Sequence, residues 1–237
     1  KTEDGRTVVG HRLIRSARLS EMTPEDANVL VERYGLAHVI DLRTDNERLS
    51  NPDFVPSGVS YTDASIVHEH LLGVVHESRS YKDYAGGKGL PDIRRVYREI
   101  VEEPQTAKWH AVFDEILGAD DGAILWHCTG GKDRCGLVSY LVETILGIPE
   151  EQRMADYLKT NDDAEPRATL AHDHIVDATG DTALAKKVYE IFVARPEYLE
   201  AAPKGFSDAY GCPEGFLEQV CGVDAAARAE LRARYLR

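Results

Sequence analysis

The sequence predicts an α/β fold in which a central, largely parallel sheet is flanked by helices. Short apolar segments alternate with helical segments in the first half of the chain, an order that favours a parallel sheet. With 43% hydrophobic content in 237 residues, the chain can bury one sizeable core, so we expect a single domain over residues 1–237. From about residue 137 to 237 the apolar periodicity is mostly helical.

The first strand and the first helix follow each other closely near the start of the chain. Residues 11–19 form an apolar segment that predicts a strand. Residues 22–35 then predict a helix, with Thr23 as its N-cap and Pro24 at its first position. Gly35 marks the end of this helix.

Three further strands are expected, at residues 37–43, 58–65 and 122–128. Each of them delivers polar residues near its carboxyl end, namely Asp41, Arg43, Asp63 and Cys128. In open α/β sheets ligands bind at the carboxyl ends of the strands. We therefore expect these four side chains to converge on one crevice.

A lid or insertion is expected at about residues 65–92. Its periodicity is weak, and it contains the breaker cluster Gly-Gly-Lys-Gly-Leu-Pro. Exposed loop residues are usually solvated, but four residues here could contact substrate or supply an acid: Tyr81, Lys82, Asp83 and Tyr84.

Five helices are expected in the second half of the chain, because apolar residues recur there at spacings of three and four. They span residues 137–147, 149–161, 181–193, 195–211 and 224–236.

Composition excludes two classes of partner. A net charge of -13 argues against a nucleic-acid partner, because phosphate-backbone affinity comes mainly from clustered Lys and Arg. The apolar stretches are shorter than the roughly 18 residues of a membrane span, so stable membrane insertion is not expected. A cytoplasmic location is the default expectation, and export without a visible signal peptide remains an alternative.

The four cysteines are too few for a disulfide scaffold and lack the spacing of a structural zinc site. We expect reduced thiols, with Cys212 and Cys221 as unpaired structural residues.

Residues 126–136, WHCTGGKDRCG, begin in the last residues of the fourth expected strand and lead into a helix. A loop with Gly130 and Gly131 can turn its backbone N–H groups inward, and a helix N-terminus adds positive potential, so the segment predicts a phosphate-binding socket. Arg134 supplies a planar fork for two oxygens of one anion.

Cys128 is the candidate nucleophile in this socket. A helix N-terminus and nearby cations lower a thiol pKa, so the side chain can attack phosphorus as a thiolate. Asp133 is the nearest candidate general acid, with Asp63 as an alternative, and the chemistry requires no metal ion or other cofactor. His127 either orients Cys128 through a ring hydrogen bond or fills space behind the loop.

The stretch HCTGGKDRCG resembles the signature loop of bacterial atypical protein tyrosine phosphatases, His-Cys-x-x-Gly-Lys-Asp-Arg-Thr-Gly. Residues 13–47 and 210–236 also resemble segments of that family, so the likeness covers nearly the whole chain. The resemblance implies a phosphatase domain with the tyrosine phosphatase fold. In that domain Cys128 is the nucleophile, Arg134 the phosphate clamp and Asp133 the acid. The phosphate cradle is the backbone of Thr129, Gly130, Gly131, Lys132, Cys135 and Gly136.

Lys132 matches a basic residue that the family shares with lipid phosphatases, where it can meet a second phosphate; the alternative for this residue is a solvated charge. Substrates that the resemblance allows are phosphoproteins, with phosphotyrosine or dual specificity favoured, then phosphoinositides and small phosphorylated metabolites.

Three alternatives bear on the site and on the function. Asp41, Arg43 and Glu47 are better explained by a buried ion pair that pins the loop than by direct contact with substrate. A phosphate-recognition module without turnover is the first rival function, although such a protein would be expected to lose one of the three catalytic residues. A rhodanese-like sulfur-transfer protein is the second, but its loop is shorter.

Cys135 departs from the family pattern, which has a hydroxyl residue after the arginine. In the family that hydroxyl stabilises the leaving thiolate, and S–H is a weaker hydrogen-bond donor. We therefore expect Cys135→Thr to raise the steady-state rate of phosphate ester hydrolysis. An unchanged or lower kcat would contradict this interpretation of Cys135.

Overall fold

The structure, a computed structural model, describes residues 1–72, 90–119 and 122–237. Most of the expected lid falls on residues 73–89, so the lid and its residues Tyr81, Lys82, Asp83 and Tyr84 lie outside the described residues. Within the described ranges, no helix is both long enough and apolar enough to cross a membrane.

A four-stranded parallel sheet forms the centre of the described structure, in the order β1-β4-β2-β3. Its strands are β1 (Leu13–Ser16), β2 (Leu36–Asp41), β3 (Ser60–Asp63) and β4 (Ala123–His127). The register aligns their carboxyl ends, because Ser16 pairs with His127, His127 with Asp41, and Asp41 with Asp63. The expected parallel sheet is confirmed, and all four strands are shorter than the apolar segments that predicted them.

Helices flank this sheet and make up most of the second half of the chain. The helices before β4 are α1 (Pro24–Asn28), α2 (Asp45–Ser50), α3 (Ile93–Glu102) and α4 (Thr106–Gly118), with a 3₁₀ turn at Glu69–Leu72. The helices after β4 are α5 (Asp133–Leu146), α6 (Glu150–Leu158), α7 (Asn161–Thr179), α8 (Thr182–Phe192), α9 (Pro196–Leu199), α10 (Ala201–Tyr210), α11 (Pro213–Gln219) and α12 (Ala225–Tyr235).

The first helix begins as its sequence predicts and ends differently. Thr23 accepts a hydrogen bond from the Asp26 N–H, while the Asp26 side chain accepts from the Thr23 N–H, which completes a capping box. After Asn28 the hydrogen bonding changes to a π-helix over Val29–Arg33. Gly35 then adopts a positive φ of 66°, a conformation that favours glycine.

Strand β4 is buried on both faces of the sheet. Ile124 and Trp126 pack in the main core, while Leu125 packs with Val39 of β2 in a smaller cluster on the opposite face. This alternation is the period-two pattern of a strand. Because β4 is central and buried, the loop that follows it starts from a rigid position.

Two helices differ from the expectations, and the first of them carries residues of the site. Helix α5 begins at Asp133 rather than at Leu137, so Asp133 and Arg134 lie in its first turn. Helix α7 was not predicted, because most of its residues are polar and its apolar stripe is narrow. The buried residues of that stripe are Ala164, Ala168 and Ile175. It packs against α8, which lies next to it along the chain.

Candidate active site

Cys128 directly follows β4 and is 2% exposed. A hydrogen bond from the Cys135 side chain lowers the pKa of the Cys128 thiol to about 6, because it stabilises the thiolate. Burial opposes this effect, and the charge of Arg134 and the Cys135 backbone N–H support it. The thiol is therefore largely ionised at neutral pH, as a nucleophile requires.

Cys135 occupies the first turn of α5 and is fully buried. Its Sγ lies 3.7 Å from the Ser16 carbonyl oxygen and 3.8 Å from the Trp126 carbonyl oxygen. Burial, and then the adjacent Cys128, raise the pKa of the Cys135 thiol well above its ordinary value. Cys135 thus stays protonated. Its single S–H proton has the two carbonyl oxygens and Cys128 as competing acceptors, and a Cys128 thiolate, being charged, is the strongest of the three.

Arg134 is held in place by two parallel hydrogen bonds to one carboxylate. Its Nη1 donates to Glu47 Oε2 at 2.6 Å, and its Nη2 donates to Glu47 Oε1 at 2.8 Å. Nη1 also donates to the Leu42 carbonyl oxygen at 3.3 Å. A guanidinium has five N–H donors, so these contacts leave the Nε proton and one Nη2 proton for an anion. Two donors on one edge form the fork that a phosphate needs.

Glu47 is placed for this contact by the start of α2. Thr44 is the N-cap of α2, and its backbone N–H donates to Glu47 Oε2 at 2.9 Å. The Thr129 hydroxyl donates to Glu47 as well. Burial alone would raise the pKa of Glu47, but the charge of Arg134 and these hydrogen bonds lower it to about 2. Glu47 therefore stays ionised and ties α2 to the loop.

The glycines of the loop are not equivalent. Gly131 has a φ of 69°, and a Cβ at this position would lie 2.8 Å from backbone atoms of Ser16 and Ala17. A Cβ at Gly136 would lie 2.8 Å from the ring of Tyr157. At Gly130 nothing lies within 4 Å of the Cβ position. Close packing thus requires glycine at Gly131 and Gly136, whereas Gly130 has room for a side chain.

Lys132 and Asp133 form an ion pair in the loop that follows Cys128. Lys132 is 4% exposed, so it is not the solvated charge that was the alternative. Its Nζ lies 2.8 Å from Asp133 Oδ1 and 5.3 Å from the centre of the Tyr198 ring. Asp133 keeps a quarter of its side chain exposed, which leaves the carboxyl accessible from the outside of the loop.

A second ionic network lies behind the loop. Arg43 donates to Asp41 through Nε and Nη2, and its Nη2 lies 2.5 Å from Asp53 Oδ2. Burial would raise the pKa of Asp41, but Arg43 and then His127 and Tyr61 lower it to about 2. Asp41 and Arg43 therefore form a buried ion pair, the alternative that the sequence favoured over contact with substrate.

His127 lies in the same network and is fully buried. Its Nε2 is 3.1 Å from Asp53 Oδ2 and 3.9 Å from Asp41 Oδ1, although neither ring nitrogen has a hydrogen bond of acceptable geometry within the described residues. These three side chains are close enough to hold a cation, but the guanidinium of Arg43 already forms ion pairs with both carboxylates. The ring thus packs behind the loop, with no ring hydrogen bond to Cys128.

One expectation about an individual residue is wrong. Asp63 does not join the crevice; it is 46% exposed and pairs with Lys108 and Arg48 at the edge strand. Cys212 and Cys221 are both free thiols, as expected; Cys221 is buried, and Cys212 is exposed and caps α11, where its Sγ accepts from the Gly215 N–H. Asp63 leaves the site because β3 is two strands away from β4.

Asp53 was missed in the sequence, and so was the specific role of Glu47 as the partner of Arg134. Asp53 lies in a segment without periodicity, so no local pattern could identify it. The Thr44 to Glu47 spacing is that of a capping box and could have indicated that Glu47 is fixed.

This geometry matches a class of proteins that handle phosphate with cysteine. The sequence model described as the Tyrosine phosphatase family matches residues 1–237. A tyrosine-protein phosphatase of Nostoc commune is 28% identical over 146 residues, which cover 61% of this chain and 46% of that protein. The triple specificity protein phosphatase PtpB of Mycobacterium tuberculosis is 27% identical, covering 93% of this chain and 89% of that protein.

This chain also aligns with a solved structure, TpbA of P. aeruginosa in complex with pTyr. The alignment covers 79% of this chain and 94% of the TpbA chain, with 14% identity and a TM-score of 0.36. The chain belongs to the tyrosine phosphatase family, a family of cysteine-dependent phosphatases. The family expected from the signature loop is thus confirmed.

The pKa of Cys128 generates a prediction on pH. Alkylation of Cys128 by iodoacetamide should accelerate as the pH rises through about 6, since only the thiolate reacts. Cys135→Ala removes the largest cause of the lowering, so the midpoint should move to higher pH. Cys221→Ala, which removes another buried thiol, should leave the midpoint unchanged. Mass spectrometry of Cys128 alkylation as a function of pH measures this midpoint. An unchanged midpoint in Cys135→Ala would contradict the conclusion that Cys135 lowers the pKa of Cys128.

The two adjacent loop glycines provide a matched pair for stability. Gly131→Ala combines a left-handed φ with a clash against the backbone of β1 and should lower the free energy of unfolding by about 1–3 kcal/mol. Gly130→Ala meets open space and should change it little. Chemical denaturation of both variants checks this, and equal stability would show that the contact with Ser16 and Ala17 is unimportant.

Proposed function

We propose that residues 1–237 form one phosphatase domain that hydrolyses phosphomonoesters through a phosphate covalently bound to Cys128. The observation that carries this proposal is the pairing of a buried thiol of lowered pKa with an arginine whose fork no described residue occupies. The chemistry needs a nucleophile and positive charge at the transferring phosphoryl group, and the loop supplies both without a metal ion.

The reaction has two steps. In the first, Cys128 Sγ forms a bond to phosphorus while the bond from phosphorus to the ester oxygen breaks. Asp133, in its protonated form rather than as the carboxylate of the ion pair with Lys132, gives its proton to the departing oxygen. Arg134 and the backbone N–H groups from Thr129 to Gly136 stabilise the charge on the phosphoryl oxygens. In the second, water attacks phosphorus, Asp133 accepts its proton, and Cys128 leaves as a thiolate that the Cys135 S–H stabilises.

We infer that the substrate is a phosphoprotein, with phosphotyrosine or dual specificity favoured. Both named relatives carry protein phosphatase names. Lys132 supports a substrate with a single phosphate, because its ammonium group is already engaged by Asp133 and lies over the ring of Tyr198. A phosphoinositide or a small phosphorylated metabolite is the alternative substrate.

The first test is hydrolysis of para-nitrophenyl phosphate in EDTA by the intact protein and by Cys128→Ser. We expect activity that resists EDTA and falls by at least a thousandfold in the variant, since the nucleophile is lost. Cys221→Ser is the matched control, and it should keep full activity because Cys221 is a buried thiol outside the loop.

An inactive intact protein that still binds vanadate would instead support the recognition module. For an active protein, kcat/KM over phosphotyrosine and phosphoserine peptides, phosphoinositides and sugar phosphates then ranks the substrate classes. A preference for a phosphoinositide would overturn the argument from Lys132.

A further inference from the structure

A cavity lies beside the edge strand β1, on the face of the sheet that carries the main core. Its volume is about 500 Å³, which is within the range of pockets that hold small molecules. The strands contribute Leu13, Arg15 and Trp126 to its lining, and Arg15 and Trp126 are register partners in β1 and β4. Helices α5 and α6 pack against each other and supply most of the remaining lining. The cavity thus lies between the sheet and the helix that starts in the loop.

One face of α5 lines this cavity. Ser139, Val142, Glu143 and Leu146 recur at spacings of three and four, so they share a face of the helix. Val142 and Leu146 are buried and apolar, and the Ser139 hydroxyl already accepts a hydrogen bond from the indole N–H of Trp126 at 3.2 Å. Among the described residues, none donates a hydrogen bond to the Glu143 carboxylate. Glu143 is therefore the polar group on this face that is available to a ligand.

The charged side chains around Glu143 are engaged with other groups. Arg15 donates through Nη2 to the Asp156 carbonyl oxygen at 2.9 Å, and the same nitrogen lies 3.3 Å from Asp156 Oδ2. Arg153 lies over the ring of Tyr140, 4.6 Å from its centre. The charged residues of the lining are Glu143 and Asp156 against Arg15, so the ionised lining carries an excess of negative charge.

The carboxyl of Glu143 is poorly stabilised in its ionised form. Burial, followed by the nearby charge of Asp156, raises the pKa of Glu143 to about 8, and the charges of Arg15 and Arg153 offset this only in part. A carboxylate removed from water is costly unless a cation or hydrogen-bond donors reach it. An ammonium group supplies both, and apolar walls favour a hydrocarbon body. The cavity therefore selects for a cation that carries apolar surface.

We propose that this cavity binds a small molecule in which a protonated amino group is attached to an apolar body. The ammonium group donates to the Glu143 carboxylate, and the hydrocarbon contacts the apolar wall that includes Leu13, Val142 and Trp126. Within the described residues, the lining contains none of residues 128–136. The site is thus separate from the phosphate socket, and its occupation does not require the phosphatase reaction.

The probes are cyclohexylmethylamine, which is protonated at neutral pH as a lysine side chain is, and cyclohexylmethanol, a neutral molecule of similar shape. Binding is followed by tryptophan fluorescence, because Trp126 lines the cavity whereas the other tryptophan, Trp109, is fully buried in the core. We expect the amine to bind roughly tenfold more tightly than the alcohol, since a hydrogen bond between two charged groups is the stronger one. A response that persists in Trp126→Phe would place the probe elsewhere and overturn the inference.

Glu143→Gln keeps the shape of the side chain and removes its charge. The affinity for the amine should fall roughly tenfold, and the affinity for the alcohol should stay unchanged. Glu151→Gln, which removes an exposed carboxylate of α6 outside the cavity, should change neither affinity. Equal affinities for amine and alcohol in the intact protein, no response to the amine, or a preference for the amine that survives Glu143→Gln would each overturn the inference.

Inorganic phosphate tests where the amine binds. A large excess of phosphate, compared with sodium chloride at the same ionic strength, should leave the affinity for the amine unchanged. Displacement by phosphate would place the amine in the phosphate socket and overturn the inference.

A second variant keeps the test valid if Glu143→Gln fails to fold. Val142→Phe fills part of the cavity beside Glu143 without a change of charge. Both probes should lose most of their affinity in this variant, because the space for the hydrocarbon is reduced. Retained binding of the amine would contradict its placement in this cavity.

Discussion

The buried guanidinium of Arg134 is the constraint on which the carboxyl edge of the sheet depends. A charge removed from water is costly unless a partner neutralises it, and Glu47 does so with two short hydrogen bonds. Because Glu47 also completes the N-terminal cap of α2, the same carboxylate fixes the helix and the arginine. Thr129 donates to it as well, so loop, arginine and α2 form one connected unit.

A second layer of charge supports this unit from behind. Arg43, Asp41 and Asp53 are buried together with His127 at the ends of β2 and β4. Their contacts use long side chains to connect the sheet with the segment around Asp53, which has no regular structure of its own. The network thus stabilises the platform from which the loop emerges and leaves the chemistry to the residues in front.

Hydrogen bonding within the loop sets the ionisation of Cys128. A thiol as buried as Cys128 would ordinarily resist ionisation, and the donor at Cys135 reverses that tendency. The substitution of sulfur for a hydroxyl at this position keeps the donor and weakens it. The same first turn of α5 also carries Asp133, so the donor and the candidate acid are positioned by a single helix start.

The sequence by itself determined the parallel sheet and the position of the loop, and it singled out Cys128 and Arg134 as the candidate nucleophile and phosphate clamp. These depend on local patterns: apolar periodicity, paired glycines and fixed spacing. Only the tertiary structure decided that Glu47 neutralises Arg134, that Asp53 joins the buried network and that Asp63 stays outside it. Those contacts join segments far apart in the chain, and strand order, which no local pattern specifies, determines which of them meet.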